Sequence, residues 1–146
     1  MFFLKELPSR KMLERYKERY PEMNIDHMDK ALHLMRDASL LIRKLERYFA
    51  ESGLSQTRVL VLIVLDREIE CEYLMIGDLV QRLDVSKPVV TKIVQTLEKD
   101  GLVRTEVSKD DQRVRLVFIT SAGREKLHSL LPGYYRLINE EMSALE

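Results

Sequence analysis

The amino-acid sequence predicts a mainly helical chain that carries one small β-hairpin. Three observations lead there. Apolar residues recur in steps of three and four over several stretches, as the face of a helix requires. Glycines and prolines stand between those stretches, at Pro21, Gly53, Gly77, Gly101, Gly123 and Pro132-Gly133. Two runs rich in β-branched residues, 102–107 and 113–119, flank the polar stretch Ser108-Lys109-Asp110-Asp111-Gln112, which reads as a hairpin with a long tip. With 146 residues, 45% of them hydrophobic and 33% charged, the chain is expected to fold as one integrated, soluble domain without disulfide or metal staples.

The elements follow in order. Residues 8–20 are charged, with Met12, Leu13, Tyr16 and Tyr20 apolar, and predict a short amphipathic helix. From 28 to 49, Met28, Ala31, Met35, Ala38, Ile42, Leu45 and Phe49 repeat at helical spacing, and Leu32, Leu34, Leu41 and Tyr48 widen the stripe. So wide an apolar face on one long helix exceeds what the rest of the chain can cover, which predicts a dimer. Gly53 suits the left-handed residue that ends a helix. Ser55 is placed to cap the next helix, whose Val59, Leu60, Leu62, Ile63 and Leu65 predict burial. Residues 76–83 read as a short helix, 83–85 as a turn and 86–99 as a helix with clear ends: Ser86 as cap, Pro88 in the first turn, Val85 and Val90 spaced as a hydrophobic staple, and Gly101 as the stop. Its apolar stripe is Val90, Ile93, Val94 and Leu97; Pro88, Val89, Lys92, Gln95, Thr96 and Lys99 take the opposite face. After the hairpin the pattern is helical again from Thr120, with an interruption or kink expected at Pro132-Gly133. The expected organisation is an N-terminal segment with a long dimerisation helix (1–53), a central lobe (54–119) and a C-terminal dimerisation helix (120–146).

Two short helices joined by a tight turn, the second capped and polar outside, followed at once by a hairpin, make a winged helix-turn-helix, an arrangement that presents its second helix to the DNA major groove. Base edges there need donors and small apolar groups, which Lys92, Gln95 and the methyls of Val89 and Thr96 offer. Ser86, Lys87 and Thr91 suit phosphates. Lys109, Arg113 and Arg115 on the wing suit the flanking minor groove, with Asp111 placed to hold Arg113 extended. Net charge gives no help, since 24 basic side chains balance 24 acidic ones. Residues 86–115 carry 7 basic and 5 acidic groups against 3 and 7 in 51–85, so a DNA-binding surface must be a local patch.

At this resolution of motif the sequence resembles a known family. Leu79, Leu83, Ser86, Thr91-Lys92 and Leu97-Glu98-Lys99-Asp100-Gly101-Leu102-Val103, then Asp111-Gln112-Arg113, then Ile119-Thr120 and Gly123, are similar in identity and spacing to the multiple-antibiotic-resistance regulator (MarR) family, over roughly residues 28–142. The resemblance implies a homodimer that binds short palindromes through two winged helices, usually as a repressor released by a small ligand or oxidant. It puts Ser86, Pro88, Val89, Thr91 and Lys92 at recognition-helix positions and gives Asp111 and Arg113 the acid-x-arginine of the wing. Lys92 stands where the family commonly has arginine, so base readout lacks the planar fork. The resemblance also implies a further helix beyond residues 142–145, absent from this sequence; dimer contacts are then expected from 28–49, 8–20 and 127–142. Effector binding is expected where dimer helices meet the winged lobe, at Met35, Tyr48, Phe49 and Arg58.

Other classes find little support. No Gly-rich phosphate loop, nucleophile elbow or paired His and carboxylate points to an enzyme, and no cofactor is implied. His27, His33 and His128 do not share a metal-ligand spacing. Cys71, between Glu70 and Glu72, is expected to be buried or inert, because neighbouring carboxylates raise a thiol's pKa. Glu68, Glu70 and Glu72 are expected to form a solvated acidic face. No run approaches the ~20 apolar residues of a membrane span, and the start lacks the pattern of a secretion signal, so a cytoplasmic location is expected. The alternative to a DNA reader is a winged helix that docks proteins, which an apolar outer face would favour.

Overall fold

A computed structural model describes all residues, Met1–Glu146. The elements are α1 (Arg10–Arg19), α2 (Ile25–Ala50), α3 (Gln56–Asp66), β1 (Leu74–Met75), α4 (Ile76–Arg82), α5 (Lys87–Lys99), β2 (Val103–Val107), β3 (Arg115–Ile119) and α6 (Ser121–Ser143). They divide into two units, Met1–Leu45 and Glu46–Glu146.

In the N-terminal unit, Ser9 caps α1 by accepting from the Met12 amide at 3.3 Å. Asn24 caps α2, its Oδ1 accepting from the His27 amide at 2.9 Å, so α2 begins at Ile25, earlier than the apolar pattern alone indicates. The helix starts are tied by Arg10, whose Nη1 donates to Asp26 Oδ1 at 2.8 Å. That bond holds the Asp26 carboxyl below its ordinary pKa. Ser39 is buried and donates to the Phe2 carbonyl at 2.9 Å, fixing the leading segment. The long apolar stripe is there as expected, yet Met28, Ala31, Met35, Ala38 and Ile42 are all exposed along it.

In the C-terminal unit, α3 is capped by Ser55, whose Oγ accepts from the Arg58 amide, and it buries Val59, Val61, Leu62, Val64 and Leu65. Around it lie Leu79 of α4, Val90 and Leu97 of α5, Val103 and Val117 of the hairpin, and Leu127 of α6, all essentially without solvent contact. A third strand joins the hairpin: the sheet order is β1-β3-β2, antiparallel throughout, with Leu74 and Thr105 both opposite Val117. Gly101 ends α5 at φ 76°, a conformation other residues adopt at a cost. Gly123 serves by lacking a side chain, because a Cβ there would collide with the Leu102 carbonyl oxygen. The first turn of α6 is thereby pressed against the link between α5 and β2, where Thr120 Oγ1 donates to the Gly101 carbonyl at 2.7 Å.

Some expectations need correction. α6 runs uninterrupted through Pro132 to Ser143. Beside that proline, Tyr48 donates its hydroxyl to the Leu130 carbonyl at 2.7 Å, and Tyr48, Phe49 and Tyr134 pack ring against ring. Cys71 is exposed rather than buried. Glu68 is mostly covered and accepts from Arg82 Nη1 at 2.7 Å, a bond that lowers its carboxyl pKa, so the acidic face reduces to Glu70 and Glu72.

Candidate nucleic-acid interface

The outer face of α5 is built by what its inner face buries. With Val90, Ile93, Val94 and Leu97 committed to the core, helical geometry leaves Lys87, Pro88, Val89, Lys92, Gln95 and Lys99 in solvent, while Thr91 and Thr96 are half-buried. Thr96 spends its hydroxyl within the helix, donating to the Lys92 carbonyl at 3.0 Å, which leaves its methyl as the group on offer. Ser86 is the N-cap residue in extended conformation, but its side chain makes no capping hydrogen bond, contrary to expectation. The hydroxyl and the Val89 amide just beyond Pro88 therefore remain available to an acceptor from outside.

Before α5 lies α4, whose first turn is held by Asp78 Oδ2 accepting from the Met75 amide at 2.9 Å. After α5 comes the hairpin, whose tip is organised by Asp111. Arg113 donates to that carboxylate from its backbone amide (3.0 Å), from Nε (3.1 Å) and from Nη2 (3.3 Å). These bonds hold the Asp111 carboxyl below its ordinary pKa, yet the Arg113 side chain stays 91% exposed: a cation aimed but not covered. Lys109 is exposed on the same tip.

Between α4, α5 and the hairpin runs an open groove of about 640 Å³. Lys87, Thr91, Gln95, Arg113 and Arg115 share its lining, so one concavity gathers predicted residues from the helix and from the wing. Ser86, Pro88, Val89, Lys92, Thr96, Lys109 and Asp111 are not among its lining residues. Sequence reasoning missed Gln81 and Glu98, which also line it; only the packing of α4 and β2 against α5 brings them there, and no local pattern reports that.

The predicted effector residues are otherwise engaged. Tyr48 and Phe49 are packed as described, and Arg58 lies 3.7 Å from Asp100 and donates from Nε to Ser55 Oγ at 3.2 Å. A recess of about 460 Å³ has Arg58 in its lining but neither Tyr48 nor Phe49. Met35 belongs to the N-terminal unit and is exposed there. His128 Nε2 lies 2.9 Å from Asp66 Oδ2, a pairing of α6 with α3. No group of three or more His, Cys, Asp or Glu is arranged to hold a metal ion. No helix is long and apolar enough to cross a membrane.

An outwardly polar second helix between a short helix and a hairpin defines the class: the C-terminal unit is a winged helix-turn-helix. Comparison with known proteins narrows it. Residues 52–114 match the model of the MarR family. The HTH-type transcriptional repressor YetL of Bacillus subtilis is 27% identical over 139 residues, covering 95% of this chain and 83% of its own. The crystal structure of AbsC, a MarR family transcriptional regulator from Streptomyces coelicolor, is similar with a TM-score of 0.75 at 22% identity, over 85% of this chain and 82% of that one. Sco3205, another MarR family regulator of Streptomyces coelicolor, solved in complex with DNA, gives 0.77 at 22% identity, over 82% of this chain and 74% of its own. Over the winged lobe the chain is thus similar to MarR family transcriptional regulators, and it shares their fold.

Proposed function

We propose that this regulator binds double-stranded DNA sequence-specifically, as a homodimer on a palindromic operator, and represses transcription until a small molecule releases it. The observation that carries the reading is the exposed polar face of α5 beside a wing whose arginine is held outward. In this reading Lys92 and Gln95, with the methyls of Val89 and Thr96, face base edges in the major groove. Ser86, Lys87 and Thr91, with the free amides of the first turn, take phosphates. Lys109 and Arg113, the latter braced by Asp111, reach the neighbouring minor groove. Arg115, which opens β3 beside the tip, is hydrogen-bonded to Thr105. The homodimer is supported by the stripe of α2, a heptad-spaced seam whose Met28, Ala31, Met35, Ala38 and Ile42 all keep exposed surface. Repression follows the name of YetL, and Met35, Tyr48, Phe49 and Arg58 stand as the proposed surroundings of an effector. A regulator of this kind works in the cytoplasm, where the DNA is.

The test is selection from a random duplex library by the purified protein, followed by sequencing. The reading expects an enriched palindrome with half-sites about one helical turn, ~34 Å, apart. A folded protein that enriches nothing, or that enriches a single asymmetric half-site, contradicts it.

A further inference from the structure

β2 is an edge strand of the sheet, so some of its amides point away from β3 and need partners elsewhere. Thr105 finds one on α5. Its amide donates to Glu98 Oε2 at 2.6 Å, and its hydroxyl donates to the same oxygen at 2.7 Å. An ionised carboxylate accepts only, and a hydroxyl has one hydrogen to give, so the free side of Thr105 Oγ1 is an acceptor. Arg115 fills it, donating from Nη1 at 3.0 Å. The chain therefore runs one way, from Arg115 on β3 through Thr105 on β2 to Glu98 on α5, with a full charge at each end strengthening the bonds between.

Nothing else recommends a carboxylate at this position. An acid in the last turn of a helix opposes the helix dipole. Glu98 also puts negative charge into the groove that holds Lys87, Arg113 and Arg115, against any phosphate approaching there.

We propose that Glu98 is a positioning residue for DNA binding: through Thr105 and Arg115 it fixes the angle of the wing on the recognition helix. The proposal rests on the DNA reading above. It makes Arg115 a strut rather than a DNA contact and leaves the tip cations, Arg113 and Lys109, to meet the DNA. The wing must stand at one angle for those cations to reach one groove while α5 lies in the next.

The experiment is a binding cycle on the selected palindrome at fixed salt with wild type, Glu98→Ala, Thr105→Val and the double variant, together with thermal unfolding and amide exchange at Thr105. Removing a carboxylate from a DNA-facing groove raises affinity if charge alone matters. The proposal expects the opposite sign: roughly tenfold weaker binding by Glu98→Ala at temperatures where it is fully folded, from loss of the charge-assisted bonds. Thr105 amide exchange should accelerate in Glu98→Ala. Thr105→Val should lose affinity comparably, and the double variant should be little worse than either single one, since all break the same chain. Equal or tighter binding by Glu98→Ala, an unchanged Thr105 amide, or additive losses would overturn the proposal while wild-type binding still upholds the DNA reading. A wild type that binds no duplex overturns that reading instead.

Discussion

α5 and α2 carry the same kind of sequence pattern and come to opposite ends. On α5 the stripe Val90, Ile93, Val94 and Leu97 is buried entirely within its own unit, and burying it decides which side chains remain outside. On α2 the stripe Met28, Ala31, Met35, Ala38 and Ile42 stays partly in solvent at every position. Helical periodicity thus reports that a face will be covered, not by what. The first stripe is satisfied by the chain that encodes it; the second is the one the proposed homodimer would cover.

That contrast can be broken at either end. The largest effect is expected inside the lobe: Leu97→Ala should cost about 2–5 kcal/mol of stability, since it removes buried methyls from a site with no solvent contact and leaves a cavity. Denaturant unfolding measures it. Gly123→Ala should destabilise on a similar scale, roughly 2–4 kcal/mol, because its Cβ meets backbone that cannot give way. On α2 the expectation is of another kind. Ile42→Glu should leave helix content nearly unchanged while halving the mass measured by sedimentation, and DNA affinity should fall on the order of 100-fold once two half-sites no longer bind as one. A monomeric wild type, or a dimeric Ile42→Glu with unaltered affinity, would break the comparison on that side. Smaller again, Lys92→Ala should relax preference at one base position of each half-site by ~1–3 kcal/mol, read by repeating the library selection. The smallest is Arg113→Ala, which should weaken binding several-fold at every sequence and lower the slope of log affinity against log salt by about 1.

Much of the winged lobe was legible because its signals are local. The stripe of α5, its stop at Gly101, and Asp111 two residues before Arg113 each sit within a few residues of the feature they specify. What local pattern does not report is pairing at a distance. β1 is a strand of two residues only because β3 lies beside it. Glu68 leaves the acidic face because Arg82, far along the chain, folds back to it. Glu98 reads as one more charge on a solvated helix until β2 brings an unpaired amide to it. Pro132 misleads in the other direction: it signals a break, and α6 continues through it. At the interface the residue types were readable, and so was the local bond of Arg113 to Asp111, whereas the bond that takes Arg115 across the hairpin to Thr105 was not.

The most direct test of the whole account is photo-crosslinking from the two faces that the comparison sets apart. A photoreactive side chain is placed at Gln95 on α5 in one protein and at Met35 on α2 in another, and each is irradiated with the selected duplex. The account predicts protein–DNA adducts from position 95 and protein–protein adducts of twice the chain mass from position 35. Adducts to DNA from position 35, or a position 95 that captures only protein while DNA is bound, would contradict it.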